Sequence, residues 1–175
     1  MPHESRLTIA LRALLQSQRV AALGTIGDEG EPYVSMVPYA LAPSAGCLVI
    51  HVSGLAAHTR NLQARTSVSL LVMQSEVLGE SVHALARVTL AAVANVLTPN
   101  SPEWQTCRDS YLARFPEAEP MTHLGDFMFV AVEVKSARHV AGFGAARSID
   151  DEEVRRAIGV KRYQPDAGGL EIDSQ

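Results

Sequence analysis

The sequence predicts a mainly β domain in which a small antiparallel β-barrel is flanked by helices. About six short apolar segments, each bounded by turn residues, run along the chain. Few helical segments separate them, and parallel strands would each need a long crossover, so the strands are expected to pair antiparallel. The 175 residues suffice for one domain with a substantial core. We expect a single domain over residues 1–159 and a flexible, polar C-terminal tail over residues 160–175.

The first half of the chain alternates apolar runs with turns. Four leucines at helical spacing predict an amphipathic N-terminal helix: Leu7, Leu11, Leu14 and Leu15. Apolar and β-branched runs predict strands, and a helical pattern falls between the third strand and the fourth. The predicted strands are Val20–Ile26, Tyr33–Leu41, Cys47–Ser53 and Ser67–Met73, and the helix between them covers Gly54–Ala64.

The second half continues this organisation. Ser101 is a predicted N-cap, with Pro102 at the first position of a helix that runs to Arg114. Acidic residues at the start of Asp150–Ile158 favour a last helix, because the N-terminal end of a helix dipole attracts negative charge. The predicted strands are Ser81–Leu97, which has one solvated face, and then Phe127–Val134 and Ala137–Phe143.

Composition excludes several classes of protein. The formal net charge of −4 supplies no basic field, so a nucleic-acid partner is not expected. Charged residues interrupt the N-terminal helix, which is therefore neither a signal peptide nor a membrane span. Two cysteines, Cys47 and Cys107, are too few for a disulfide framework, as expected of a cytoplasmic protein.

The junction after the third strand is a candidate anion site. If a helix begins just after Ser53, its unpaired backbone N–H groups and its dipole favour an anion at its tip. Ser53, His58 and Thr59 can add side-chain donors there. In the alternative interpretation Ser53 only caps the helix, and His58 and Arg60 face water.

Two further stretches are candidate ligand contacts. Pro38 cannot donate to a sheet ladder, so its strand is expected to be an edge or to bulge there, with backbone groups near Ser35–Val37 left for a planar heterocycle. Gly142 and Gly144 permit a turn that presents Phe143 to a pocket or to a partner chain. An ordinary edge strand and an ordinary turn are the alternatives. The GxG spacing does not match a dinucleotide fingerprint.

No residue is assigned to direct catalysis. The histidines form none of the usual metal-binding patterns, so no metal site is predicted, although His51 and His58 could approach each other across the strand–helix junction. The sequence contains no GxSxG elbow, and neither cysteine lies in a catalytic signature.

The ordered succession of motifs resembles the FMN-binding split barrels of the pyridoxamine 5′-phosphate oxidase-like superfamily. The motifs are "RVAALGTIG", "EPYVSMVPYAL", "LVIHVSGLAAHTRNL", "SVSLLV", "ARVTL", "YLARFP", "GDFMFVAVEV" and "ARHVAGFGAA". They span roughly residues 6 to 150, and the later ones look most like the branch that contains haem-utilisation proteins.

The resemblance implies a cytoplasmic homodimer that binds FMN in grooves between its subunits and acts as an oxidoreductase on a small-molecule substrate. The strand that contains Ser35 to Pro38 would run along the flavin ring, and the segment from His51 to Asn61 would hold the phosphate. The implied ring contacts are Ser35, Met36, Val37 and Pro38, with Gly142, Phe143 and Gly144 flanking the flavin. The implied contacts in the phosphate-holding segment are His51, Val52, Ser53, His58, Thr59 and Asn61.

Departures from the family pattern change the expected ligand. Authentic oxidases have arginine at the place of Ser35, an Arg-Lys pair at the place of Ala57-His58, and lysine at the place of Ala40, so oxidation of pyridoxamine phosphate is not expected. A haem-binding or haem-utilisation protein is the alternative. Haem-degrading relatives use an axial histidine in a C-terminal extension, and no histidine follows His139 here, so haem would need an internal histidine. A third hypothesis is a scaffold whose main property is dimerisation.

Overall fold

The computed structural model describes residues 5–160, so the predicted tail lies outside the described residues except for its first residue. The helices are Arg6–Ser17 (α1), Ala57–Ala64 (α2), Pro102–Arg114 (α3) and Asp151–Ile158 (α4). The strands are Val20–Ile26 (β1), Pro32–Ala42 (β2), Cys47–Ser53 (β3), Ser67–Met73 (β4), Arg87–Val96 (β5), Phe127–Val140 (β6) and Ala146–Asp150 (β7). Two 3₁₀ segments cover Val82–Ala84 and Pro116–His123. No helix within residues 5–160 is long and apolar enough to span a membrane.

Six strands close into an antiparallel barrel. Their order is β3-β2-β1-β4-β5-β6, and β3 pairs with β6 to complete the ring. The first half of β6 pairs with β3, while its second half pairs with β7, which lies outside the ring. The predicted mainly β fold, a β-barrel with flanking helices, is confirmed.

Two apolar clusters hold the barrel and its helices together. The larger lies inside the ring, where Leu23, Leu70 and Leu90 are fully buried, and leucines of α1 and apolar residues of α4 join it. The smaller lies between α3 and the outer side of β2, β3 and β6, around Tyr111 and Phe129. Because α3 covers this side of β3, the outward side chains of that strand are buried as well.

The capping signals of two helices are confirmed. Ser101 accepts a hydrogen bond from the N–H of Trp104 and begins α3, with Pro102 in the first turn. Asp150 accepts from the N–H of Glu153 and begins α4. These predictions succeed because a cap and the amide that it satisfies lie three residues apart in the sequence.

The predicted strand Ser81–Leu97 is wrong in its first part. β5 begins only at Arg87, which pairs with the last residue of β4, Met73, and with the last residue of β6, Val140. Residues 81–86 therefore have no strand beside them on either side, and Val82–Ala84 forms a 3₁₀ turn instead.

The predicted pair of strands Phe127–Val134 and Ala137–Phe143 is also wrong. They form one strand, β6, because a bulge opposite Ala91 and Ala92 accommodates the polar residue Lys135 without ending the ladder. Phe143 lies in the turn that follows, and β7 was not predicted.

Candidate functional site

The predicted flavin edge lies where the barrel opens. Residues 32–38 of β2 pair with β1 only, and the ladder between β2 and β3 starts at Tyr39. Pro38 thus marks the point at which β2 changes from one partner strand to two. Within the described residues, the other edge of β2 from Pro32 to Pro38 is unpaired, so the predicted edge at Pro38 is confirmed and its backbone groups are free for a ligand.

The four predicted ring contacts do not share one environment. Met36 is 63% exposed on the outer face of β2, whereas Val37 is buried in the barrel core. Ser35 lies on the same side of the strand as Val37, because side chains alternate along a strand. Pro38 is half-buried. Val37 is therefore withdrawn from the open edge, whereas Met36, the half-buried Ser35 and Pro38, and the backbone of this stretch remain accessible there.

The start of α2 differs from the prediction. The helix begins at Ala57, after a turn over Gly54–Ala56, and its N-cap, Ala56, has no side-chain oxygen. Ser53 does not cap the helix; its hydroxyl accepts the N–H of Leu55 within the turn. The first turn of α2 therefore keeps backbone N–H groups that no side chain caps.

The hydroxyls predicted to bind a phosphate are engaged within the protein. Ser53 donates to the carboxylate of Asp126 over 2.8 Å, and Thr59, which is fully buried, donates to the backbone carbonyl of Ser53 over 2.6 Å. These bonds fix the β3–α2 junction. They also place a negative charge beside Ser53, which would repel a phosphate.

Asp126 was missed by sequence reasoning. It lies 73 residues after Ser53 in the chain. The β3–β6 register pairs Ser53 with Phe127 and so brings Asp126 next to Ser53. The sequence alone does not reveal which residues of β3 and β6 pair, so it could not identify Asp126 as a neighbour of Ser53.

His58 and Ser35 form the centre of the site. The Nδ1 atom of His58 and the Oγ atom of Ser35 share a hydrogen bond of 2.9 Å that joins α2 to the unpaired part of β2. Both residues are half-buried, and burial lowers the pKa of His58 below its ordinary value, which favours the neutral imidazole. Within residues 5–160 the Nε2 atom of His58 makes no hydrogen bond, so it is available to a ligand.

Three residues of the predicted phosphate segment are packed or hydrogen-bonded within the protein. The His51 ring stacks on Phe129 at a centroid distance of 4.3 Å, on the side of β3 that α3 covers, and does not approach His58. Val52 is buried in the barrel core. Asn61 is also buried, and its amide donates to the hydroxyl of Thr25 on β1, so it anchors α2.

The predicted flavin-flanking loop is the turn between β6 and β7. Gly142 and Gly144 have φ values of 146° and 78°, which only glycine adopts at low cost. Phe143 between them is exposed, and Gly142 faces the backbone of Ala84. The turn is as predicted, and contact of Phe143 with a cofactor or a partner stays a prediction.

The closed six-stranded ring, which opens along the unpaired stretch of β2, has the architecture of a split barrel. Within that class the chain belongs to the pyridoxamine 5′-phosphate oxidase family, whose model matches residues 7–141.

Proteins similar to this chain have names that refer to haem. The heme oxygenase HutZ of Vibrio cholerae is 27% identical over 152 residues, which cover 86% of this chain and 85% of that protein. The chloroplastic non-canonical heme oxygenase HOZ of Arabidopsis thaliana is 33% identical over 138 residues, 78% of this chain but 40% of that protein.

A solved structure that is similar to this chain also has a name that refers to haem. That of a heme binding protein from Mycobacterium smegmatis has a TM-score of 0.77 and 29% sequence identity, over 88% of this chain and 62% of that one. The chain thus spans less than two thirds of the Arabidopsis and Mycobacterium proteins, and most of the Vibrio protein.

Proposed function

We propose that this chain binds haem at the opening of the barrel, where His58 would hold the iron. The observation that carries the proposal is the hydrogen bond between His58 and Ser35. The similar proteins named for haem oxygenation and haem binding support it.

The residues at the opening fit the requirements of haem. An iron-binding histidine must be neutral, and its second ring nitrogen is usually held by a hydrogen bond that orients the ring. Ser35 can hold Nδ1 of His58 in this way, which leaves Nε2 for the metal. Leu55, in the turn just before α2, is an exposed apolar side chain that can contact a porphyrin face.

The other described histidines fit less well. His139 is 1% exposed and lies within the core, so a porphyrin has no access to it. His51 is enclosed by aromatic rings. His83 and His123 lie on the exposed surface of 3₁₀ segments, and the ring of His123 is already hydrogen-bonded to Glu119.

The proposal includes a homodimer, with the ligand at the subunit interface. The outward positions at the centre of β1, β2, β4 and β5 carry apolar or small residues and no charge, which is unusual for a surface that faces water. They include Ala22, Val34, Met36, Leu71, Ala91 and Val93. A second copy of the chain would cover this face and enclose the unpaired edge of β2.

FMN is the second candidate ligand, and with it a flavin-dependent oxidoreductase acting on a small-molecule substrate. Family membership, the uncapped first turn of α2 and the free edge of β2 favour it. The carboxylate of Asp126 and the neutral ring of His58 disfavour it, because a phosphate gains most from cationic donors. For this reason haem is the main proposal.

Titration of the purified protein with hemin and with FMN tests the proposal. Hemin is expected to give a saturable Soret band, and FMN little quenching of its fluorescence. His58→Ala is expected to shift the Soret band and weaken hemin binding, and Ser35→Ala to weaken it by roughly 10- to 100-fold. His123→Ala is the matched control, since it removes an exposed histidine. An unchanged hemin spectrum and affinity in His58→Ala would refute the assignment, and saturable FMN binding alone would favour the flavoprotein.

The dimer has its own test. Met36→Asp places a charge at the centre of the apolar face and is expected to give a monomer by light scattering. Gln105→Asp, at an exposed position of α3, is expected to leave the mass unchanged. If the wild-type protein is already a monomer, the chain is not a homodimer, and the haem site must be complete within one subunit.

A further inference from the structure

A second cavity lies on the side of the sheet that α3 covers. It has a volume of about 260 Å³ and lies between the ends of β3 and β6, helix α3 and the loop after the second 3₁₀ segment. Residues that define it are His51, Trp104, Thr122, Leu124, Phe127 and Phe129. It shares no lining residue with the His58–Ser35 site.

His51 is a polar group of this cavity and has no hydrogen-bonding partner among residues 5–160, whereas the other polar side chains of the lining, Thr122 and His123, are bonded to Glu119. The His51 side chain is 7% exposed, and within residues 5–160 its ring makes aromatic contacts but no hydrogen bond. Phe129 and Phe127 lie 4.3 and 5.0 Å from its centroid. A ring nitrogen that lines a cavity and has no partner in the chain is open to a hydrogen bond with an occupant of that cavity.

The lining defines the chemistry of an occupant. Among the described residues the lining includes no Lys, Arg, Asp or Glu, and its second histidine, His123, is already bonded to the carboxylate of Glu119, so the cavity suits an uncharged ligand. Aromatic side chains form much of the wall, and Trp104 meets Phe129 edge to face at 5.7 Å. Such walls favour a flat ring. The volume lies below the roughly 300–1,000 Å³ of drug-sized sites, which selects a ligand of one or two rings.

We propose that this cavity binds a small uncharged aromatic molecule whose hydroxyl or ring N–H group hydrogen-bonds His51. The site is separate from the proposed haem site, and its occupancy does not depend on haem binding. His51 supplies the polar contact, and the surrounding rings supply the apolar contacts.

Trp104 provides a direct measurement, because it is the only tryptophan of the chain and lines the cavity. The probes are p-cresol and toluene, which differ only in a hydroxyl group. With excitation at wavelengths that neither probe absorbs, p-cresol is expected to change the Trp104 emission saturably. One hydrogen bond predicts that p-cresol binds about two- to tenfold more tightly than toluene.

Variants assign the effect to His51. His51→Phe keeps an aromatic ring but removes the hydrogen bond, so the preference for p-cresol over toluene is expected to disappear. His83→Phe, at an exposed histidine outside the cavity, is the matched control and is expected to keep it. Equal affinities of the two probes for the wild-type protein, or no saturable change in Trp104 emission, would overturn the proposal even if His51→Phe failed to fold. Hemin titration of the same samples measures binding at the His58–Ser35 site, so the two proposals are tested separately.

Discussion

Burial of His51 predicts a loss of stability in mild acid. Burial lowers the pKa of this histidine from 6.5 to about 4. Between these values the unfolded chain binds a proton that the folded chain does not, so the free energy of unfolding falls as the pH falls. The two pKa values correspond to a loss of about 2 kcal/mol between pH 7 and pH 5. The stability that the folded state gains by keeping His51 neutral is fully present above pH 6.5 and is largely lost at pH 4.

Urea unfolding of wild type and His51→Phe at pH 7, 6 and 5 measures this loss. The variant is expected to show a smaller decrease in its free energy of unfolding over the same range. Some decrease should remain, because burial and then Arg147 also lower the pKa of His139. His83→Phe, at an exposed position, is expected to match wild type. If His51→Phe keeps the full wild-type pH dependence, the buried, neutral state of His51 is not the cause.

Three further predictions concern stability. Tyr39→Phe removes a buried hydroxyl that donates to the carbonyl of Leu15 over 2.8 Å, and is expected to lower the unfolding free energy by about 1 kcal/mol in urea melts. Gly159→Ala is expected to cost ~1 kcal/mol in the same assay, because Gly159 ends α4 at a φ of 99°. Arg147 lowers the pKa of the Glu153 carboxyl, which stabilises the fold above about pH 4.5 and less as the pH falls. Arg147→Ala should therefore flatten the acid side of the stability profile.

Matched variants test these three reasons. Tyr33→Phe changes an exposed tyrosine, and Gly125→Ala changes a glycine that has open space around it and no positive φ. Arg138→Ala removes an exposed arginine of β6. Each control is expected to change stability by less than its partner. Equal losses within a pair would contradict the corresponding reason.

The fold was largely predictable because its signals are local. β1, β3 and β4 have the predicted bounds, since a short apolar run between turns fixes a strand without reference to distant residues. The errors at β5 and β6 have a different origin. The start of β5 is set by the end of β4, and the continuity of β6 depends on a bulge opposite β5. Pairing of this kind is a property of two segments and is not encoded in either alone.

The local structure of the candidate site was predictable in part, whereas its side-chain contacts were not. The β3–α2 junction and the edge at Pro38 were found from helix-start and proline chemistry. The roles of Ser53 and Thr59 were not, because their hydrogen-bonding partners are a carboxylate from another strand and a backbone carbonyl. A hydroxyl can donate to a ligand only if the fold leaves it free, and that depends on long-range register.

Burial of His58 disfavours binding of one candidate ligand and favours binding of the other. A lowered pKa removes the positive charge that a phosphate would need, and Asp126 beside Ser53 adds a negative one. The same shift favours the neutral imidazole that a metal requires, and in the tautomer whose Nδ1–H donates to Ser35 the Nε2 lone pair is free. Under the proposed assignment, His58 is therefore better suited to hold iron than to bind a phosphate.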